Sequence, residues 1–175
     1  MNKAVLDTDI FSEVTKGVNQ AVAARASAYR KAFAHYTITA VTLRELIRGY
    51  QKKQASRQLQ SFLAAIPSEE VIPFDQTAAE LAGIIGGELE RTGQPIGLAD
   101  TMIAAIALTH CLELVTGNTP HFQRIAQLGY PLQRIAQLGY PLVLAKWRIW
   151  PPVSHPLRNF LGTFSPYCPA ASSQA

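Results

Sequence analysis

Cysteine, methionine and tryptophan are each present only twice in 175 residues. Cys111 and Cys168 lie far apart without metal-ligand spacing, which argues against a disulfide framework or a zinc ribbon. No apolar run approaches the ~20 residues that a membrane-spanning helix needs. Lys3 is followed by only three apolar residues before Asp7, which is not the pattern of a signal peptide. No membrane association and a reducing cytoplasm are therefore expected. Aspartate is scarce as well: Asp7, Asp9, Asp75 and Asp100 are the whole complement.

What is present is ample for a core. The chain is 48% hydrophobic, and its length suits one domain with a short appendage. Its net charge of +4 and pI near 9.2 are compatible with a nucleic-acid partner without requiring one.

Along the chain, short β-rich runs exchange with longer segments of helical period, the signature of helices around a mostly parallel sheet. Strands are expected at Lys3–Leu6, Tyr36–Thr39, Val71–Phe74 and Glu113–Thr116. Helices are expected at 9–16, 20–34, from Val41 to about Lys52, 56–66, 77–91 and around Asp100. Asp75 reads as the N-cap of the helix that begins at Thr77. Gln123 to Leu132 reads QRIAQLGYPL, and Gln133 to Leu142 repeats it without change. At ten residues this is not a solenoid unit, which would be ~20 to 50 residues long. The first copy is expected to continue a helix after Phe122, the run Tyr140–Ala145 to supply the last strand, and one decapeptide to be surplus. Five prolines between Pro151 and Pro169 mark a tail. The expected organisation is thus a domain over 1–148 and a Pro-rich tail over 149–175.

The scarce aspartates are the feature to explain. Asp7 follows the apolar strand Ala4-Val5-Leu6, and open α/β sheets bind ligands outside the carboxyl ends of their strands. Asp9 reads as the cap of the following helix. Asp100 is embedded in the most apolar helical segment, Gly97 to Ile106, where a carboxylate is costly unless a partner or cation compensates it. It is either an N-cap or a residue inside the helix facing a cleft, and the second reading is preferred. Glu45 lies on the polar side of its helix beside Arg48 and Lys52. It is as readily a solvated partner of those bases as a member of the acidic edge near Asp7. Asn118 reads as a turn residue and His121 as a surface or capping residue. Arg44, Arg48, Lys52, Lys53 and Arg57 form the densest basic stretch, a solvated face unless phosphates pass beside it. Carboxylates grouped without histidine or cysteine suit a hard, oxygen-preferring cation such as Mg²⁺, and hydrolysis of phosphodiesters is the chemistry that follows.

Val5-Leu6-Asp7-Thr8-Asp9, Thr42-Leu43-Arg44-Glu45-Leu46, Leu98-Ala99-Asp100-Thr101-Met102-Ile103-Ala104-Ala105 and Val115-Thr116-Gly117-Asn118 with His121-Phe122 together resemble the PIN-domain ribonucleases. The likeness is greatest to the VapC-type toxins of prokaryotic toxin–antitoxin pairs, and it spans residues 1 to about 147. It implies a three-layer α/β/α single domain with a mostly parallel sheet of about five strands. It also implies Mg²⁺- or Mn²⁺-dependent endoribonuclease activity, with Asp7, Glu45 and Asp100 as metal ligands and Asn118 at the catalytic site. Arg44, Arg48 and Lys52 are the candidate RNA contacts. Partners implied are an RNA substrate such as tRNA, a cognate antitoxin and a second copy of the chain. The sequence departs from the family pattern at Asp9, where Asn is commoner, at Asn118, which is Asp in many relatives, and at His121, which replaces an acid. Asp7-Thr8-Asp9 also resembles the opening motif of haloacid-dehalogenase-type phosphatases, although Phe11 stands where that motif has Thr or Val. A non-catalytic RNA- or protein-binding module on the same fold is the third reading.

Overall fold

A computed structural model describes residues 2–130, 132 and 135–136. Ala4-Val5-Leu6 has no polar side chain to keep in water, and it forms strand β1 (Ala4–Leu6) at the centre of the sheet, buried along its whole length. The chain continues through α1 (Thr8–Lys16), α2 (Gln20–Phe33), β2 (Thr37–Thr39), α3 (Ala40–Lys52), α4 (Ser56–Ala65), a 3₁₀ turn at Ile66–Ser68 and β3 (Glu70–Ile72). Then follow α5 (Gln76–Arg91), α6 (Leu98–Thr109), β4 (Glu113–Val115), α7 (Thr119–Gln127) and β5 (Ile135–Ala136). The five strands lie in the order β3-β2-β1-β4-β5, and every pair is parallel. Uninterrupted burial of β1 is what a parallel strand covered on both faces requires.

Period-two alternation sends Ala4 and Leu6 to one face, where Ile10, Phe11, Tyr29, Leu46 and Phe62 from α1 to α4 meet them. Helices α5 to α7 pack among themselves and on β4 and form the other layer. Their fully buried side chains include Ile85, Leu89, Ile103, Ile106, Phe122 and Ile125. The chain runs outward from β1 through β2 to β3, then crosses back to β4 on the other side. That reversal places a topological switch point between β1 and β4, at the carboxyl edge of the sheet.

Local signals set most element ends. Gly17 takes a left-handed φ of 66° and closes α1 with a bond from its N–H to Glu13 O. Asp75 caps α5 through Ala78 N, as expected from sequence. Strand β3 is shorter and earlier than the expected Val71–Phe74. Pro73 has no N–H for the ladder, whereas Glu70 N donates to Tyr36 O at 2.9 Å. Helix α1 starts at Thr8 with Asp7 at its N-cap, a position assigned to Asp9 from sequence.

One Ile-Ala pair of the duplicated decapeptide lies in two different elements. Ile125-Ala126 of the first copy is helical within α7, as expected, whereas Ile135-Ala136 of the second pairs with Leu114 and Val115 as β5. Both copies thus contribute residues to an element. The strand expected at Tyr140–Ala145, the tail and the boundary near residue 148 lie outside the described residues.

At the opposite edge of the sheet, the Tyr29 hydroxyl accepts from Ala4 N at 3.1 Å and lies 3.0 Å from Ala4 O and 3.2 Å from Thr37 Oγ1. It binds α2 to the first residue of the central strand. Removing it leaves a buried N–H without its partner, so Tyr29→Phe is expected to cost about 1–3 kcal/mol in chemical denaturation, with no change of fold by circular dichroism.

Candidate active site at the carboxyl edge of the sheet

Strand β1 is short, so the residue after it arrives at the edge of the sheet still inside the core. Asp7 is 4% exposed, and its N–H continues the ladder to Val115 O at 2.9 Å. Both carboxylate oxygens are held. Oδ1 accepts from Thr8 N at 2.7 Å and Oδ2 from the Thr116 hydroxyl at 2.6 Å. Burial pushes Asp7 up to about 7, with further upward pressure from the charges of Asp9 and Asp100, while the Thr116 and Thr8 hydrogen bonds pull the other way.

Asp9 lies in the first turn of α1 with its surface exposed, yet one oxygen reaches across to Gly117 N at 2.8 Å and the other accepts from Ile10 N at 2.6 Å. It too is raised, by desolvation first and by the charge of Asp100 after the opposing backbone hydrogen bonds. Its approach to Gly117 is so close that a Cβ there would stand 2.5 Å from Asp9 Oδ2. Glycine at 117 is therefore a steric requirement of this bridge. The cap expected at Asp9 is in this way a link between α1 and the loop after β4.

Asp100 sits inside α6, in its first turn, and Gly97 occupies the N-cap, in agreement with the preferred sequence reading. Its Oδ2 receives Asn118 Nδ2 at 3.2 Å and His121 Nδ1 at 2.5 Å. Asn118 holds the N-cap position of α7 but makes no side-chain cap bond, because its amide is turned to Asp100. Its own N–H donates to Thr116 Oγ1 at 2.9 Å. Thr116 thus joins Asp7 and Asn118 through one hydroxyl.

Glu45 is half-buried and accepts from the Thr8 hydroxyl at 2.5 Å. The solvated reading beside Arg48 and Lys52 gives way to a contact with the first residue of α1, one position from Asp7. Arg44, Arg48 and Lys52 repeat every four residues along α3 and are exposed. His121 lies at the surface in the first turn of α7, partly exposed, and its ring in addition bonds to Asp100. Thr8, Thr116 and His121 were legible as residues but not as participants. The signal for Thr116 and Thr8 was a small hydroxyl directly after a buried strand or beside its terminal acid.

Among the described residues, no three His, Cys, Asp or Glu side chains stand close enough to cage a metal ion as placed. Each of these carboxylates has at least one oxygen held by a protein donor. Their charges nonetheless bear on one another, since Asp9 and Asp100 both raise Asp7. Three helix N-termini offset that repulsion, because Asp7 and Asp9 begin α1, Asp100 begins α6 and Asn118 begins α7.

A parallel α/β/α sheet with acids gathered at its switch point defines a class of phosphate-handling folds, and comparison with known proteins narrows it. The PIN domain family model matches residues 4–128. A tRNA(fMet)-specific endonuclease VapC from Shigella flexneri is 36% identical over 129 residues, 73% of this chain and 96% of the relative. The structure of DNA-bound VapBC from Salmonella typhimurium superposes with a TM-score of 0.66 at 33% identity, covering 79% of this chain and 99% of that one. VapBC2 from Rickettsia felis, bound to a promoter DNA fragment, gives 0.64 at 26% identity over 77% of this chain and 97% of the other. The chain belongs to the PIN-domain family and, within it, to the VapC group. The phosphatase resemblance of Asp7-Thr8-Asp9 is therefore confined to three residues.

The raised Asp7 makes a stability prediction with a definite sign. Its folded form holds a proton more tightly than the unfolded chain, so its favourable contribution is present below about pH 4 and is lost as pH rises through about 7. Asp7→Asn removes that loss. In thermal denaturation with chelator present, the variant is expected to melt above the parent at pH 8, by the equivalent of about 2–4 kcal/mol, and to match it near pH 4.

Proposed function

We propose that the chain is a metal-dependent endoribonuclease that hydrolyses RNA phosphodiester bonds as the toxin of a VapBC-type toxin–antitoxin pair. The observation that carries this reading is the arrival of Asp7, Asp100 and Glu45 from three separate elements at the carboxyl edge of the sheet, with Asp7 buried and under the charge of its neighbours. The donor set suits Mg²⁺ or Mn²⁺: it offers carboxylate oxygens and no thiolate, and its excess negative charge is of the kind a divalent cation relieves.

Asp7, Glu45 and Asp100 are the proposed ligands. When bound, a divalent cation supplies charge for the phosphoryl oxygens and acidity for a nucleophilic water. The protein groups supply order. Thr116 holds Asp7 Oδ2 and Thr8 holds Glu45, so two of the three carboxylates are oriented by hydroxyls just past the ends of β4 and β1. Asn118 holds Asp100 and contributes no charge, which leaves the affinity for the cation to the acids. Burial of Asp7 keeps bulk water from competing at the inner end of the site.

Arg44, Arg48 and Lys52 form an exposed basic row on the helix that carries Glu45, suited to the phosphates of an RNA strand entering the acidic edge. A tRNA is the substrate class favoured by the specificity of the Shigella flexneri relative, a tRNA(fMet)-specific endonuclease. A small antitoxin is the favoured protein partner, since the structural relatives are VapBC complexes. A homodimer in the cytoplasm is the favoured working form.

The test is cleavage of a total tRNA pool by the purified chain. Cleavage is expected with Mg²⁺ or Mn²⁺ and none with excess chelator. Asp100→Asn is expected to lower the rate by at least about 100-fold with an unchanged melting profile. Undiminished cleavage by this variant, or in chelator, would remove the basis of the proposal. Neutralising Arg44, Arg48 and Lys52 together is expected to raise KM and flatten the salt dependence while leaving kcat nearly constant.

A further inference from the structure

We infer that His121 is a positioning residue for Asp100, acting through Nδ1 to fix which carboxylate oxygen faces the acidic edge. Asp100 and His121 occupy the same place in their helices, the third residue of α6 and the third of α7, and the two helix starts bring the side chains together. A carboxylate only accepts, so the 2.5 Å contact requires the proton on Nδ1, and this sets the tautomer.

Two donors then meet at a single oxygen: His121 Nδ1 lies 2.5 Å and Asn118 Nδ2 3.2 Å from Asp100 Oδ2. With its proton given to the carboxylate, Nδ1 accepts nothing from Asn118, so the 2.8 Å approach of the two nitrogens is a contact and not a bond. Gly97 carries no side chain to crowd this oxygen, and an added Cβ would come within 3.2 Å of it. Oδ2 is therefore held by His121 and Asn118, and neither of these donors reaches Oδ1. A carboxylate with one oxygen anchored offers the other at a fixed angle, the arrangement by which groups behind a ligand raise metal affinity. Asn118 alone makes the longer, 3.2 Å bond, so the imidazole is the stronger restraint.

This inference rests on the reading of Asp100 as a ligand. Its test is calorimetric titration with Mn²⁺ in the absence of RNA, backed by melting curves of each variant. His121→Ala is expected to weaken Mn²⁺ binding by about 10- to 100-fold. His121→Asn, whose amide nitrogen stands in for Nδ1, is expected to rescue most of that affinity. His121→Gln, whose amide nitrogen stands in for Nε2, is expected not to. In RNA cleavage, the Ala variant is expected to regain much of its kcat at saturating Mn²⁺.

Parent-like Mn²⁺ binding by the Ala variant would overturn the inference, as would an Asn variant no better than Ala. If the Ala variant does not fold, the contrast between Asn and Gln decides. Asp100→Asn in the same titration keeps the two claims separate. If it binds Mn²⁺ like the parent, the ligand assignment itself fails. If it loses binding while His121→Ala does not, only the positioning role fails.

Discussion

A carboxylate buried at the end of the central strand is the constraint around which this fold is arranged. Asp7 has almost no contact with solvent, and an isolated charge in such a place is too costly to persist. Three neighbours offset part of that cost. The N–H of Thr8 and the hydroxyl of Thr116 bind its oxygens, and the start of α1 adds the partial positive charge of a helix terminus. Thr116 can serve only because β4 lies next to β1 in register, with Leu6 opposite Val115. The strand order and the acidic edge are thus parts of one solution.

Asp7, Thr39 and Asp75 cap the helices α1, α3 and α5 that leave β1, β2 and β3 at this edge, whereas Gly97 before α6 and Asn118 before α7 make no side-chain cap bond. A missing cap costs about 1 kcal/mol. The Asn118 amide, the natural cap of α7, is committed to Asp100 instead.

Much of the architecture was legible in the sequence because it rests on periodicity. The apolar run before Asp7, the helical stripe of Leu43, Leu46 and Ile47, and Asp75 as a cap each depend on neighbours a few residues away. Asp100 inside its helix was legible for the same reason, since Ile96 and Leu98 already begin the apolar pattern. What could not be read depends on residues distant in sequence. Glu45 reads as solvated on a helical wheel, because nothing local announces that Thr8, 37 residues earlier, will donate to it. His121 reads as a surface residue, because its partner Asp100 lies 21 residues away across a strand. Asp9 reads as a cap until Gly117 is brought beside it from 108 residues away.

The duplicated decapeptide isolates this limit within one chain. The same Ile-Ala pair lies in a helix in one copy and pairs as a strand in the other, so its surroundings and not its own identity choose. The choice between copies is then an addressing problem that the decapeptide itself cannot solve. The address is written just upstream: Asn118, Pro120 and Phe122 precede only the first copy, with Pro120 preset for a helix start and Phe122 fully buried. The same short stretch that presents Asn118 and His121 to Asp100 therefore also tells the chain which of two indistinguishable segments to wind into a helix. Loosening it would expose the fold to a ten-residue frame error as well as altering the acidic edge.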